Sequence, residues 1–185
     1  MTCLIFLTEL NLLLMAGIDN MLRKLKEKDI PYMLEWMHDR EIISGFQTPF
    51  DKYTEAEAKS FIENSFSGAN QHFAFTDEND EYLGTISLKN ISYKNMRAEY
   101  AIVARKKAQG TGDARKATEE LLNYAFDELK LHKVYLSVLE KNYRARSFYE
   151  KCGFKYEGTD VDAVLIDGEY QTHIWYGLIQ GAVKE

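Results

Sequence analysis

Residues 107–126 read KAQGTGDARKATEELLNYAF, a glycine-containing turn that runs directly into an amphipathic segment. Gly110 and Gly112 lack a Cβ, so the turn can take positive φ and a ligand can approach its backbone closely. The segment after the turn is predicted to be helical, because apolar residues repeat along one helix face: Leu121, Leu122, Ala125, Phe126 and Leu129. Unpaired N–H groups and the dipole at such a helix start favour an anion, most often a phosphate.

The spacing of this turn differs from two common phosphate-binding motifs. A P-loop requires Gly-Lys-Ser/Thr, whereas Gly112 is followed by Asp113 and Ala114. A dinucleotide fingerprint requires a third glycine where this chain has Arg115, which also disfavours a nucleotide-binding regulator. What remains is Gln-x-x-Gly-x-Ala, from Gln109 to Ala114. Taken alone, this pattern also suits an ordinary turn between a strand and a helix.

A second motif lies downstream, where residues 142–154 read NYRARSFYEKCGF. Asn142 is predicted to cap a helix, and Gly153 is predicted to end it. Ala145, Phe148 and Tyr149 share one face of that helix. A tyrosine in such a position, without other signals, is most often a core residue.

Together, in this order and at this separation, the two motifs resemble those of the GNAT acyl-CoA N-acyltransferases. The resemblance implies an α/β (α+β) fold, in which a mixed, mostly antiparallel twisted sheet is splayed at the acyl-CoA site and flanked by helices. It implies that the coenzyme A pyrophosphate is cradled by the loop, whose residues are Gln109, Gly110, Thr111, Gly112, Asp113 and Ala114. The free backbone of Ile102, Val103 and Ala104 is then expected to pair with the pantetheine arm.

The resemblance also implies roles for the second motif. Tyr149 would donate a proton to the leaving thiolate of coenzyme A, Asn142 would hydrogen-bond the pantetheine arm, and Lys151 would face the phosphates. One residue departs from the usual pattern, because Asp113 brings a negative charge near a pyrophosphate. Its effect is small if the carboxylate points outward or pairs with Arg115 or Lys116.

The amine that attacks an acyl thioester must first lose a proton, since an alkyl amine has a pKa of ~10.4. Glu99, in the strand before the loop, is the candidate general base. Two alternatives stay open: Glu99 is an ion-pair partner of Arg97, or it is a surface residue.

Composition indicates one globular domain of 185 residues, with 45% hydrophobic and 28% charged residues. A net charge of −6 disfavours nucleic acid as a partner. The two cysteines form neither a disulfide framework nor a metal spacing, which favours a cytoplasmic location. The four histidines are scattered, so no metal site is expected.

The first residues, MTCLIFLTELNLLLMAG, are apolar but are interrupted by Glu9 and Asn11. They make a poor signal peptide and fall short of the ~20 apolar residues of a membrane span, so no membrane association is expected. We expect residues 1–20 to be an extension of unknown role and residues 21–185 to form the single GNAT domain.

From Met21 onward the pattern alternates helices and strands. Helices are expected from Asp29 to about His38 and after the Thr54 capping box, and strands at 72–76, 82–88, 97–104 and 133–139. A terminal hairpin should turn at Asp167-Gly168. The buried face of the first helix is expected to hold four residues: Ile30, Met33, Leu34 and Met37.

The sequence thus predicts an acetyl-CoA-dependent N-acetyltransferase that works by direct attack in a ternary complex. The branch it resembles includes ribosomal-protein N-terminal and spermidine acetyltransferases, so the acceptor is a polyamine, another small amine or a protein N-terminus. Four acidic residues near the last hairpin are candidate polyamine contacts or a solvated turn: Asp160, Asp162, Asp167 and Glu169. Alternatives are a noncatalytic acyl-CoA sensor and an interaction module. Family resemblance also allows a homodimer.

Overall fold

A seven-stranded sheet carries the fold in the computed structural model, which describes residues 21–181; the predicted extension at 1–20 lies outside them. The strands are β1 (Leu22–Lys24), β2 (Gln71–Thr76), β3 (Tyr82–Ser92), β4 (Arg97–Ala104), β5 (Lys133–Leu139), β6 (Lys155–Ile166) and β7 (Glu169–Ile179). Their order across the sheet is β1-β2-β3-β4-β5-β7-β6. Neighbouring strands are antiparallel except for β4 and β5, which are parallel. The predicted mixed, mostly antiparallel sheet is therefore confirmed.

Helices pack on both faces of this sheet. They are α1 (Ile30–Met37), α2 (Arg40–Ile43), α3 (Glu55–Glu63), α4 (Asp113–Asn123) and α5 (Tyr143–Lys151). The helix predicted after the loop is confirmed, and at its end α4 widens into a π turn over Tyr124–Glu128. The Leu129 N–H donates to the Tyr124 carbonyl at 3.0 Å. This wider turn lets Tyr124, Ala125 and Phe126 all be buried.

Two hydrophobic clusters lie on opposite faces of the sheet. The larger contains residues from α4 and α5 packed on alternate strand positions: Phe73, Leu88, Tyr100, Ala117, Leu121, Val134, Leu136, Tyr149 and Tyr176. The smaller lies under α1: Leu25, Met33, Trp36, Met37, Ala74 and Tyr82. Because side chains alternate along a strand, Glu99 lies on the second face together with Val103.

The entry to α1 differs from the prediction. Asp29 occupies the N-cap position, but its side chain makes no capping bond to the helix. It is fully buried, accepts from the Lys26 N–H at 2.8 Å and pairs with the Arg23 guanidinium at 2.7 Å. The buried residues of α1 are Met33, Trp36 and Met37, whereas the predicted Ile30 and Leu34 are only partly buried. Burying the larger tryptophan removes more apolar surface from water.

Three local predictions are confirmed. The capping box at Thr54 forms, with the Thr54 N–H donating to Glu57 at 2.8 Å. Asn142 caps α5 by accepting from the Ala145 N–H at 3.1 Å, and Gly153 has φ of 94° just past its end. The last hairpin turns at Asp167 and Gly168, both at positive φ.

Candidate active site

The parallel strands β4 and β5 are paired for only part of their length. Their register runs Arg97↔Lys133, Ala98↔Val134 and Glu99↔Tyr135, and then stops. Beyond that point β4 continues to Ala104 against β3, while β5 continues to Leu139 against β7. Within residues 21–181, the β4 backbone from Tyr100 to Ala104 therefore has no strand partner on its β5 side. Such an edge can bind an extended ligand that carries amides, because unpaired backbone groups seek hydrogen bonds.

The glycine loop lies between the open end of β4 and the start of α4. Gly110 and Gly112 have φ of 83° and 92°, so the positive φ expected from the sequence is found at both. Gly112 is the N-cap of α4, whose first turn presents its unpaired N–H groups there. The loop and the helix dipole thus offer donors and positive potential to an anion.

The departure at Asp113 is largely compensated in the structure. Its carboxylate lies 2.7 Å from the Thr111 hydroxyl, and the same hydroxyl accepts from the Asp113 N–H at 3.2 Å. Lys116 lies 3.9 Å from the carboxylate, whereas Arg115 pairs with Glu119 at 3.0 Å. Of the two partners considered from the sequence, Lys116 is therefore the one beside Asp113, because Arg115 pairs with Glu119 one helical turn further along α4.

The two sequence motifs meet in space. Arg144 in α5 donates to the side-chain oxygen of Gln109 in the loop at 2.8 Å, although 35 residues separate them. Asn142 uses its carbonyl oxygen as the helix cap, so its amide N–H groups remain as donors. Lys151 is exposed at the last position of α5.

Tyr149 lies in the larger cluster next to the split. Its ring centroid is 5.9 Å from that of Tyr100, which follows the last paired residue of β4, and 6.1 Å from that of Phe154. Burial, and next to it Cys152, raises the pKa of Tyr149 to about 12, so its hydroxyl stays protonated at neutral pH. Within the described part of the chain, that hydroxyl has no hydrogen-bond partner. Among residues 21–181 it is a proton donor without an acceptor.

Tyr100 provides a contrast within the same cluster. Its hydroxyl lies 2.8 Å from the Thr118 hydroxyl, and Thr118 also donates to the Ala114 carbonyl at 2.7 Å. Burial raises the pKa of Tyr100 well above its ordinary value. The Tyr100 hydroxyl therefore serves packing between β4 and α4, and only the hydroxyl of Tyr149 is left for a ligand.

Glu99 lies at the last paired position before the split. Its carboxylate pairs with Lys89 at 2.8 Å and accepts from the Asn90 amide at 2.8 Å, and its side chain is 23% exposed. The alternative of an ion pair with Arg97 is wrong, since Arg97 instead lies over the Tyr135 ring at 5.4 Å. The register explains this, because Lys89 is directly opposite Glu99 on β3.

Two features near the site had no signal in the sequence. Arg105, buried just after β4, donates to Glu35 in α1 at 2.5 Å and to Glu81 at 2.8 Å. It fixes the start of the loop segment against α1, through a contact that spans 70 residues. His72 is bonded to the Ser87 hydroxyl at 2.7 Å, and burial, assisted by Lys89, lowers its pKa to about 4. Residue type and spacing along the chain do not indicate which distant residues will become the partners of Arg105 and His72.

Comparison with known proteins decides the family. A family model described as an acetyltransferase (GNAT) domain matches residues 20–155. The chain belongs to the GNAT acetyltransferase family. The predicted GNAT fold is confirmed, and the sheet is open where β4 and β5 separate.

Two relatives and one solved structure are informative. The spermidine N(1)-acetyltransferase of Vibrio cholerae is 33% identical over 151 residues, which covers 81% of this chain and 87% of that protein. The structure of the spermidine N-acetyltransferase from Vibrio cholerae in complex with CoA and spermine has a TM-score of 0.78 at 31% identity, covering 86% and 94% of the two chains. The putative ribosomal N-acetyltransferase YdaF of Bacillus subtilis is 32% identical over 97 residues, or 52% of this chain and 53% of that protein.

These findings establish the general activity: the protein is an acetyl-CoA-dependent N-acetyltransferase. The open β4 edge and the donors of the loop fit the amides and the pyrophosphate of that coenzyme.

From 21 to 181, the chain contains no group of three or more His, Cys, Asp or Glu residues that could hold a metal ion. Over the same residues, no helix has the length and apolar content that crossing a bilayer requires.

Proposed function

We propose that this enzyme acetylates a primary amine of a polyamine by direct attack on acetyl-CoA. The observation that carries the proposal is the likeness to the spermidine N-acetyltransferase of Vibrio cholerae, which spans 81% of this chain. The acidic character of the chain, with net charge −6, suits a cationic acceptor.

The geometry of the split supports the cofactor contacts that we propose. The pantetheine arm lies along the open edge of β4, where it pairs with the backbone of Ile102, Val103 and Ala104. The pyrophosphate lies on the loop from Gln109 to Ala114, at the N-terminus of α4. Asn142 donates its free amide N–H groups to the pantetheine arm, and Lys151 supplies a point charge to the phosphates.

Glu99 handles the proton of the incoming amine. The attacking amine must lose a proton first, because an alkyl ammonium has a pKa of ~10.4. Lys89 and Asn90 hold the Glu99 carboxylate in place at the base of the split. We propose that this carboxylate orients the amine and passes its proton through water to the solvent, so that the neutral amine attacks.

Tyr149 assists the leaving group. As the amine nitrogen bonds to the acetyl carbon, the C–S bond breaks and negative charge develops on sulfur. The Tyr149 hydroxyl is protonated and has no acceptor in the described part of the chain, and it donates a hydrogen bond to that sulfur. Since its pKa of about 12 exceeds the ~8.5 of an ordinary thiol, the hydroxyl stabilises the thiolate through this hydrogen bond and keeps its proton. The acetylated nitrogen releases one proton to water, and the thiolate takes up one proton from water to become the thiol. The products are the N-acetyl amine and the free thiol of coenzyme A.

A test of this function is thiol release from acetyl-CoA with a panel of amines: spermidine, spermine, amino sugars, amino acids and short peptides with free N-termini. The expected result is turnover of spermidine and spermine well above all other acceptors. Preferential turnover of peptides would replace the polyamine with a protein N-terminus. Binding of acetyl-CoA without turnover of any amine would instead favour the noncatalytic sensor, which the comparisons do not support.

We also propose a cytoplasmic homodimer. Four apolar side chains of the last hairpin are more than half exposed: Tyr156, Val161, Leu165 and Tyr170. Because β6 is an edge strand, its free backbone and these side chains can pair with a second copy. Light scattering during size-exclusion chromatography should give twice the chain mass, and a monomer at micromolar concentration would contradict the proposal.

A further inference from the structure

An open cavity of about 590 Å³ lies on the sheet face opposite α4 and α5. Its floor is formed by Tyr135 and Trp175, whose ring centroids are 6.1 Å apart. Their strand neighbours Val134 and Tyr176 point into the larger cluster, so these two rings point the other way. The remaining lining residues are Arg97, Lys133, Glu157, Gly158, Thr159 and Asp160.

The cavity begins where the acetyl transfer is expected. Tyr135 is directly opposite Glu99, at the last pair before β4 and β5 separate. From there the lining residues run across β7 to β6, where Gly158 is opposite Trp175. The distance from β5 to β6 is two strand spacings, or roughly 10 Å. A linear acceptor with one end at the split could therefore place its other end on β6.

The charged side chains in the cavity differ in how far they are available to interact with a ligand. Lys133 and Glu157 neutralise each other at 2.6 Å. Arg97 lies over the Tyr135 ring, near the split. Asp160, on β6, has no ion pair with any residue in the 21–181 range. An ammonium group is thus repelled at the Arg97 end and attracted at the Asp160 end, where the Trp175 ring adds a favourable cation–π surface.

We infer that this cavity is the distal subsite for the acceptor, in which Asp160 and Trp175 bind the ammonium group farthest from the reacting amine. The inference rests on the proposed polyamine acetylation and deepens it, since it names the residues that select a second positive charge. The same layout orients the substrate. Near Arg97 the positive charge favours a neutral amine, which is the form that attacks the thioester.

The test compares two neighbouring aspartates with two amines. Asp160→Asn removes the charge and keeps the shape, while Asp162→Asn, on the same strand but outside the cavity, is the matched control. Spermidine carries the distal ammonium and hexylamine lacks it. Asp160→Asn should raise KM for spermidine about fivefold, the loss typical of one partly exposed ion pair, and leave KM for hexylamine unchanged. Asp162→Asn should change neither value.

A binding measurement gives a readout that does not depend on turnover. The chain has two tryptophans, and Trp36 is buried with its indole N–H donating to Tyr82 at 2.9 Å. Titration with spermidine should change the emission of Trp175, and Trp175→Phe should remove that change.

Each outcome is decisive. An unchanged spermidine KM in Asp160→Asn, an equal loss for both amines, or an emission change that survives Trp175→Phe overturns the inference. Failure of the wild-type enzyme to acetylate any polyamine overturns the proposed function instead. The two failures are distinguishable because wild-type turnover is measured first.

Discussion

The β4–β5 pair has a closed half and an open half, and the two halves serve different purposes. In the closed half, Arg97 to Glu99 pair with Lys133 to Tyr135, and the backbone bonds of both strands are satisfied. In the open half, β4 runs on to Ala104 with one edge free. The closed half holds the sheet together, and the open half leaves room for an extended ligand. An unpaired strand edge inside a folded domain is thus a candidate binding site for a ligand that carries amides.

The largest expected effect is at the loop beyond the open half. Gly112→Val forces a β-branched residue to φ of 92°, so the turn must rearrange. The N–H groups at the start of α4 then no longer point towards the ligand. Several hydrogen bonds to a charged ligand are lost together, which should weaken coenzyme A binding about 10³-fold by calorimetry. Gly68→Val is the control, because Gly68 also has positive φ, at 61°, with nothing close to an added Cβ. Gly68→Val should lower the free energy of unfolding by a similar amount and leave the affinity for coenzyme A unchanged.

The next effect separates the two tyrosines beside the split. Tyr149→Phe should lower kcat about 10²-fold while the affinity for coenzyme A stays the same, because only the donor to the leaving sulfur is removed. Tyr100→Phe breaks the hydroxyl contact with Thr118 and should cost about 1 kcal/mol of stability with little change in kcat. Equal kcat in Tyr149→Phe and wild type would refute the role of Tyr149.

A smaller effect is expected at the boundary between the halves. Glu99→Gln should lower kcat/KM about tenfold, less than a direct proton acceptor would, because water carries the proton. Lys89→Met removes the ion-pair partner and keeps the carboxylate, so it should lose less rate. If steady-state kinetics show the same loss of kcat/KM in both variants, Glu99 has a structural role and takes no part in proton transfer.

The smallest effect concerns pH and lies on the β3 side of the open half, where Ser87 pairs in register with Ala101. His72 is hydrogen-bonded to Ser87 and is kept neutral. Its pKa is about 4 in the folded protein against ~6.5 in the unfolded chain. The unfolded chain therefore binds more protons below pH ~6.5, and stability falls as the pH drops towards 4. His72→Gln should reduce the drop in Tm between pH 7 and pH 5. An identical drop in both proteins would show that other groups cause it.

Much of this architecture is local in origin, and that part could be predicted. The strand from Arg97 to Ala104, the cap at Asn142 and the turn at Gly168 follow from alternation, capping and glycine chemistry within a few residues. The motif spacing then implied the splay through family resemblance. The physical reason for the splay, the loss of pairing after Tyr135, depends on β7 and was visible only in the register.

The remainder depends on contacts between distant residues. Asp29 was expected to cap a helix, but Arg23 captures its carboxylate. Arg105 binds Glu35 across 70 residues. Asp160 was one of four acidic candidates, and only the packing of β6 beside β7 puts it in a cavity with Trp175. The sequence near each acidic residue does not indicate which of them lies in the cavity, because that depends on the strand packed beside it.

The central claim is that the open half of β4 pairs with the pantetheine arm, and hydrogen–deuterium exchange with and without coenzyme A tests it most directly. Coenzyme A should slow exchange in the segment from Tyr100 to Ala104 and leave Arg97 to Glu99, already paired, unchanged. If coenzyme A binds with full affinity and exchange in Tyr100 to Ala104 is unaltered, the open edge is not the binding surface and the account is wrong.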